Sequence, residues 1–529
     1  MAGSTAVRPE AGVASRSTIT TLAACFITAM LAMVGLVVPG PLQGVIQVSL
    51  HASGTQLAWV TDAFILPTVA LELTFGVLGD LFGRKRLLVI GSFLMTVGTG
   101  LTALTHSITP LFVGQVIAGI GAAAIFPTSL SLIVGVTPDA KSRARGILVW
   151  TVGIGFGASL GSLIGGTLGT GGDYRPPFLV IAIAAAVAGV LAAIGTTDSR
   201  AAQGRRLDWA GQATVVIALV AVLYAIIQAP DNGWTSATTL GVLAIGVVFL
   251  VVFAIVELRV SEPLLELRLF KIPAFTGAAL VAVIALCGFM GMVYSMSVRL
   301  GVIQGQSSLR VGIMALMINI LAFALLPILP RVLYRFDVRV VLGAGTVFMA
   351  IGQFWLSTIP ISNTGLGTLA APLMPCGLGF VLIVSSVSGA AVNSVELSKA
   401  GMASGATNMM RDLGQALGIA VMGAIALSVS AANLPAQLAR SGLPPQAIAV
   451  VNAVAKAAGP FAVAHANLGP KITPHSTQAG QAALWHGYSE ALVITGILSL
   501  VAFVITIALV RRPLDLAAAP APESSPTSI

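Results

Sequence analysis

The sequence predicts an all-α polytopic membrane protein that crosses the bilayer about fourteen times, and three observations predict it. Hydrophobic residues fill 57% of the 529 positions and charged residues only 9%, where a soluble domain carries roughly 25% charged residues. Apolar runs recur from Thr18 to Val510, each near the roughly 20 residues that a helix needs to cross a hydrocarbon core about 30 Å thick. Short polar breaks, many of them basic, separate the runs. Length here counts spans, not soluble domains.

A short tail, residues 1–17, precedes the first run. Six runs near 18–38, 56–79, 86–106, 110–135, 144–169 and 177–196 form a first group over residues 18–196. The first of them exceeds the 7 to 15 residues of a signal-peptide core, so it reads as a retained span. Two runs near 211–229 and 237–257 lie in a connecting region, 197–273. Six more, near 274–298, 311–330, 338–357, 366–389, 403–430 and 488–510, lie within 274–512. The break at 431–487 is rich in Ala and Pro and poor in charge, and reads as a partly ordered loop outside the membrane. Residues 513–529 have little to bury and read as a disordered tail.

Charge gives the runs an orientation. With the N-terminus in the cytoplasm, 21 of the 27 Lys and Arg residues fall on that side, and only Arg175, Arg299, Arg310, Arg440, Lys456 and Lys471 fall on the other. The positive-inside rule then places both termini in the cytoplasm, which requires an even number of spans. Trp59, Trp234 and Trp485 fall near outer ends and Trp209 near an inner one, at headgroup depth. The net charge of +9 is split into small groups and forms no basic face, so a nucleic-acid partner is not expected. Cys25, Cys287 and Cys376 sit inside apolar runs, far apart, and the five histidines show no ligand spacing, so neither a disulfide framework nor a metal site is expected. The abundance of Ala, Val and Gly fits a high-GC bacterium, and the location expected is its inner membrane.

The second run ends in Gly76-Val-Leu-Gly-Asp80-Leu-Phe-Gly83-Arg84-Lys85-Arg86, and the third follows at once. Gly76 and Gly83 permit close approach and a tight turn, and Asp80 can bond a helix N-terminus on an opposite bundle. Arg84, Lys85 and Arg86 can hold a gate through charge pairs. The stretch resembles the cytoplasmic loop signature of the major facilitator superfamily, with Leu81 where that pattern commonly has a basic residue. In the fifth run Gly153, Gly157, Gly161 and Gly165 are four apart and share a helix face, which is also the pattern of a generic packing face. With Gly166 beside them they resemble the antiporter motif of drug:proton exporters, although Ser162 stands where that motif usually has proline. Asp208-Trp209-Ala-Gly211, Gly233-Trp234, Gly401-Met-Ala-Ser-Gly405 and Arg411-Asp412-Leu-Gly414 resemble the fourteen-span drug:proton antiporter family, and the likeness runs over about residues 18–512. A second-half gate is reduced to Arg331, Arg335, Asp337 and Arg339.

The resemblance implies a major facilitator fold, two six-helix bundles with two additional helices between them. It also implies export of amphipathic or cationic drugs by alternating access, with the proton gradient as energy source, no cofactor and a monomeric chain. No Gly-x4-Gly-Lys-Ser/Thr loop is present, so ATP is not expected to bind. A lipid or metabolite exporter and an uncoupled facilitator are the alternatives on the same fold. A lipid enzyme or a sensor would need a His, Asp or Cys cluster near one interface, and the runs offer none; the chain does not read as an enzyme.

Of eighteen carboxylates, only Asp62 and Glu72 sit well inside a run, both in the second. A charge at the bilayer centre costs roughly 2.5 to 3.5 kcal/mol on insertion scales, so both are candidates to take up and release the coupling proton. They are separated by about 15 Å along a helix and about 80° around it, which assigns them separate protons. Asp62 belongs to Trp59-Val-Thr-Asp62-Ala-Phe, which resembles family members with an acid there. The acid of the first span and the Arg of the fourth that the family often carries are replaced by Gly35 and Gln115. Glu490 reads as interfacial. Phe289, Met290, Met292, Met296, Met314 and Met317, with Gln115, are the candidate substrate cavity, because thioethers and aromatic faces adapt to varied apolar ligands; core packing explains the same stripe.

Overall fold

The computed structural model describes residues 16–137, 139–199, 207–325, 328–396, 400–465 and 468–510. The expected tails, and the basic residues Arg8, Arg200, Arg205, Arg206, Lys399, Arg511 and Arg512, lie outside them. Among the described residues all regular structure is helical, and fourteen helices are long and apolar enough to cross a membrane. Each overlaps one of the runs read from the sequence.

The first half comprises α1 (Arg16–Val37), α2 (Pro39–Leu50), α3 (Gly54–Phe82), α4 (Arg84–Leu104), α5 (Ile108–Val136), α6 (Ala140–Leu168) and α7 (Arg175–Gly195). The additional pair is α8 (Trp209–Asn232) and α9 (Ala237–Arg259). The second half comprises α10 (Pro273–Ser297), a π turn (Val298–Ile303), α11 (Ser308–Leu325), α12 (Leu329–Arg335), α13 (Val338–Thr358), α14 (Leu366–Val392), α15 (Ala400–Arg440), α16 (Pro445–His465) and α17 (Thr473–Leu509). Spans alternate in direction from α1, which starts at the side holding most basic residues, called the basic face below.

Capping explains several boundaries. Ser53 and Gln56 form a reciprocal capping box at the start of α3, and Asp208, Ser236 and Asp337 accept backbone amides at the starts of α8, α9 and α13. Each satisfies a donor that the first helical turn leaves free. Ser162 bonds the carbonyl one turn back, and α6 runs without a break through the point where a proline was expected.

Two stretches differ from the sequence reading. After α1 the chain does not turn away but continues through Val38 into α2, because Pro39 and Pro41 sit in the first turn of the new helix, where a missing amide costs nothing. The stretch 431–487, expected as a loop, is largely helical: α15 extends to Arg440, α16 fills its middle, and α17 begins at Thr473. Alanine is the best helix former, and Leu434, Leu438, Leu443, Ala447, Val451, Val463, Ala479 and Ala483 fall on facing sides, where they bury a small core of their own.

The halves are joined by α3 against α15 and by α6 against α11. The α8–α9 hairpin leans on both α3 and α15 through α8, covering their seam from the lipid side. α9 turns Leu240, Val247, Val248, Val251 and Ile255 outward, the exposed apolar face of a helix solvated by lipid.

Candidate functional site

The loop signature folds onto its own half. Asp80 accepts from Arg84 Nη2 at 2.8 Å and from Nε at 2.9 Å, and Arg84 Nη1 donates to the Ser131 carbonyl of α5 at 3.1 Å. The Arg84 amide reaches Ser199 O at 3.2 Å and the Lys85 amide reaches Asp198 Oδ1 at 3.3 Å, so the stretch after α7 caps α4. Among the described residues the expected bond from Asp80 to the opposite bundle is therefore not made, since Arg84 one turn away neutralises it. Arg86 is exposed. Gly83 has φ 106°, a conformation that only glycine adopts without strain, and an added Cβ would lie 2.9 Å from Asp198 Oδ2. Gly83→Ala is expected to cost about 1–2 kcal/mol for the left-handed backbone alone, read as a lower unfolding temperature of the detergent-solubilised protein. Gly76, by contrast, has only ordinary contact with Pro127.

At the opposite face the two halves touch backbone to backbone. A Cβ on Gly44 of α2 would overlap the Gly301 carbonyl in the π turn, and one on Gly312 of α11 would overlap the Ser162 carbonyl. Ser308 Oγ donates to Gly166 O at 2.9 Å, and a Cβ on Gly166 would lie 3.1 Å from Ser308 O. The remaining antiporter-motif glycines serve a different contact: Gly157, Gly161 and Gly165 meet the carbonyls of Met30, Val34 and Val38 in register, pinning α6 to α1. Gly44, Gly301 and Gly312 escaped the sequence reading because the partner of each lies far along the chain.

The two acids of α3 fall in separate clusters, as their spacing requires. Asp62 is 0% exposed, and neither carboxyl oxygen has a partner among the described residues. Tyr294 of α10 lies within electrostatic reach of it and beside Tyr488 of α17, their ring centroids 6.5 Å apart, and both hydroxyls are also buried without a partner. Next to Tyr488 on the same helix, Trp485 carries the buried Arg299 guanidinium 4.1 Å from its ring centroid. Three unpaired polar groups from both halves thus converge, an arrangement that is costly unless protons or water complete it. Glu72 lies deeper toward the basic face, where its carboxyl faces Asp412 and Arg411 of α15 and its Oε2 is buried without a partner. Arg411 Nε donates to Asp412 Oδ1 at 3.2 Å, and Gln415 Nε2 donates to the same oxygen at 2.8 Å. A Cβ on Gly414 would strike the Val283 carbonyl, so this glycine lets α15 bring the cluster close to α10. Residues 340 apart in sequence, Glu72 and Asp412, are neighbours across the seam between halves.

The expected cavity set is dispersed. Gln115 is buried between α5 and α4, donating to Thr102 Oγ1 at 3.2 Å, and does not line a central cavity. Met292, Met296 and Met314 are packed inside the second half, while Met290 and Met317 are half-buried. Phe289 stacks on Phe380 of α14 at 4.2 Å between centroids. Below that pair a narrow crevice, too tight in this conformation for a water molecule, runs between α10, α14 and α15 along Leu286, Ile383, Val384, Ser388, Asn408 and Arg411, so an apolar wall ends on a cation and its paired acid.

The sequence profile of the Major Facilitator Superfamily matches residues 25–419. The chain belongs to that superfamily. Its helices superpose on those of another transporter, a bacterial homologue of the human lysosomal transporter Spinster in an inward-facing and unoccupied conformation, with a TM-score of 0.62 at 17% identity, covering 96% of this chain and 100% of that one. Among curated members, the multidrug resistance protein Stp of Mycobacterium tuberculosis is 30% identical over 75% of this chain and 73% of its own length. The drug efflux pump JefA of the same species is 28% identical over 85% of this chain and 88% of its own. As a major facilitator the protein is a multi-pass membrane transporter and not an enzyme.

Proposed function

We propose that the protein exports amphipathic or cationic toxic compounds from the cytoplasm across a bacterial inner membrane by alternating access, in exchange for protons, as a monomer with both termini in the cytoplasm. The observation that carries this reading is the cluster of Glu72, Asp412 and Arg411 across the seam between halves, at the end of an apolar crevice. Arg411 and Gln415 satisfy Asp412 in its charged form. With Glu72 also ionised, two carboxylates would share one guanidinium in a dry seam, where charge repulsion is far stronger than in water. A proton on Glu72 removes the excess charge; so does a cationic ligand in the crevice beside it. Proton and cation thus compensate the same charge and exclude one another, which is the requirement of an exchanger. The relatives Stp and JefA, named for multidrug resistance and drug efflux, support the substrate class.

The conformation fits the cycle. The halves are pressed together at the face opposite the basic one, and the signature loop makes no bond to the second half among the described residues, which supports reading the contact at the opposite face as the closed outer gate of the cycle.

Inverted membrane vesicles loaded through a proton gradient test the reading with ethidium as the transported cation. Accumulation is expected to stop when the gradient is collapsed; a flux indifferent to the gradient would favour an uncoupled facilitator, and transport of lipid in place of ethidium a lipid exporter. Asp62→Asn is expected to lower gradient-driven accumulation about tenfold, the size of an ordinary coupling free energy, with ethidium binding retained. Unchanged accumulation would remove Asp62 from the coupling path.

A further inference from the structure

At the basic-face end of the α8–α9 hairpin, away from both clusters described above, two buried carboxylates face one another. Asp208, which precedes α8, is 6% exposed, and its Oδ1 accepts the Gly211 amide at 2.8 Å. Glu257, in the last turn of α9, is 3% exposed, and its Oε2 accepts the Leu265 amide at 3.1 Å. The second oxygen of each, Asp208 Oδ2 and Glu257 Oε1, is buried without a partner. Both oxygens converge on one point over Gly211: a Cβ built there would lie 2.7 Å from Glu257 Oε1 and would also press on Asp208 Oδ2. Gly211 therefore leaves the space in which the two acids meet.

Neither carboxylate forms an ion pair among the described residues. The other charged groups on the surrounding elements are Arg259 on α9, which is exposed, Glu262 and Glu266 in the connection after α9, Arg268 and Lys271 of the turn Leu267–Lys271, and Glu72 on α3, which is turned to α15. Two ionised carboxylates this close and out of water repel strongly, and each would keep a buried oxygen unsatisfied. One proton resolves both defects, because the acid O–H donates to the facing carboxylate in a charge-assisted bond while the other two oxygens keep their backbone amides.

We propose that Asp208 and Glu257 hold one proton between them, a proton-binding site separate from Asp62 and Glu72 that clamps the start of α8 to the end of α9. The clamp reaches the transport seam through the neighbouring residue. Gln212 Nε2 donates to Ala70 O at 2.7 Å and Gln212 Oε1 accepts from Thr74 Oγ1, so α8 grips α3 on either side of Glu72. Loss of the shared proton frees the hairpin at the point where it holds α3.

Thermal unfolding of the purified full-length protein in detergent, followed from pH 5 to pH 8, tests the site. The wild type is expected to lose several degrees as pH rises and the shared proton is lost. Asp208→Asn and Glu257→Gln each replace the shared proton with an amide N–H that does not titrate, and are expected to keep their low-pH stability across the range. The infrared C=O band of a protonated carboxyl should weaken in both variants at neutral pH. A variant with the wild-type slope, or an unchanged infrared band, would overturn the proposal. So would stabilisation of the wild type, but not of Asp208→Asn, by Mg2+ or Na+ at pH 8.5, since the pair would then hold a cation.

Discussion

Glu72→Gln is expected to abolish proton-driven accumulation of ethidium in inverted vesicles, by about 100-fold, the upper range of a single coupling free energy, while the protein still folds but binds ethidium more weakly, because the neutral amide mimics the protonated acid that excludes the cation. The amide keeps the shape of the protonated acid and its hydrogen-bonding reach, so the seam between α3 and α15 should stay packed. What it removes is the ability to alternate between a charged and an uncharged state opposite Asp412 and Arg411. Asp412→Asn separates two descriptions of the cluster. If the acids titrate as a pair, the Asn variant should shift the pH at which accumulation is half-maximal. If Asp412 is only the fixed counter-charge of Arg411, the variant should lower accumulation at every pH without moving that midpoint. Full accumulation in Glu72→Gln would sink the coupling role given to this residue.

The fold class was legible because the signals that set it are local. A run of apolar residues reports its own solvent, and each of the fourteen runs became a helix of spanning length. The helical content of 431–487 was not legible in its Ala- and Pro-rich composition, although the Leu434, Leu438, Leu443, Ala447 and Val451 spacing that makes its faces is present. Glu257 stands at the end of its apolar run, and only the fold shows the chain after Val260 returning over it and giving it the Leu265 amide. The site was legible in parts and not in assembly. Glu72 and the Arg411-Asp412 motif were each visible, but their contact depends on how two helices pack across the seam, which no local pattern encodes. Gln115 failed for the same reason: a polar residue in a span announces that it needs a partner, and its partner proved to be Thr102 on the adjacent helix. Gln212 carried the same signal, with partners on α3.

Gly44→Val is expected to abolish transport by preventing the two halves from closing at the outer face. The Cβ alone would overlap the Gly301 carbonyl, and the backbone there cannot retreat without separating α2 from the π turn. Overpacking of this kind costs about 1–3 kcal/mol, charged only to the conformation in which the contact is made, so it shifts the population toward the outward-open state by about 5- to 150-fold. The variant should therefore still bind ethidium from the outer side and fail to turn over. Gly389→Ala is the matching control, since a Cβ there has nothing within 4 Å, and it should transport as the wild type does. If Gly44→Val carries ethidium at the wild-type rate, the backbone contact of Gly44 with Gly301 is no part of the cycle, and the outer closure must rest on Gly166, Ser308 and Gly312 alone.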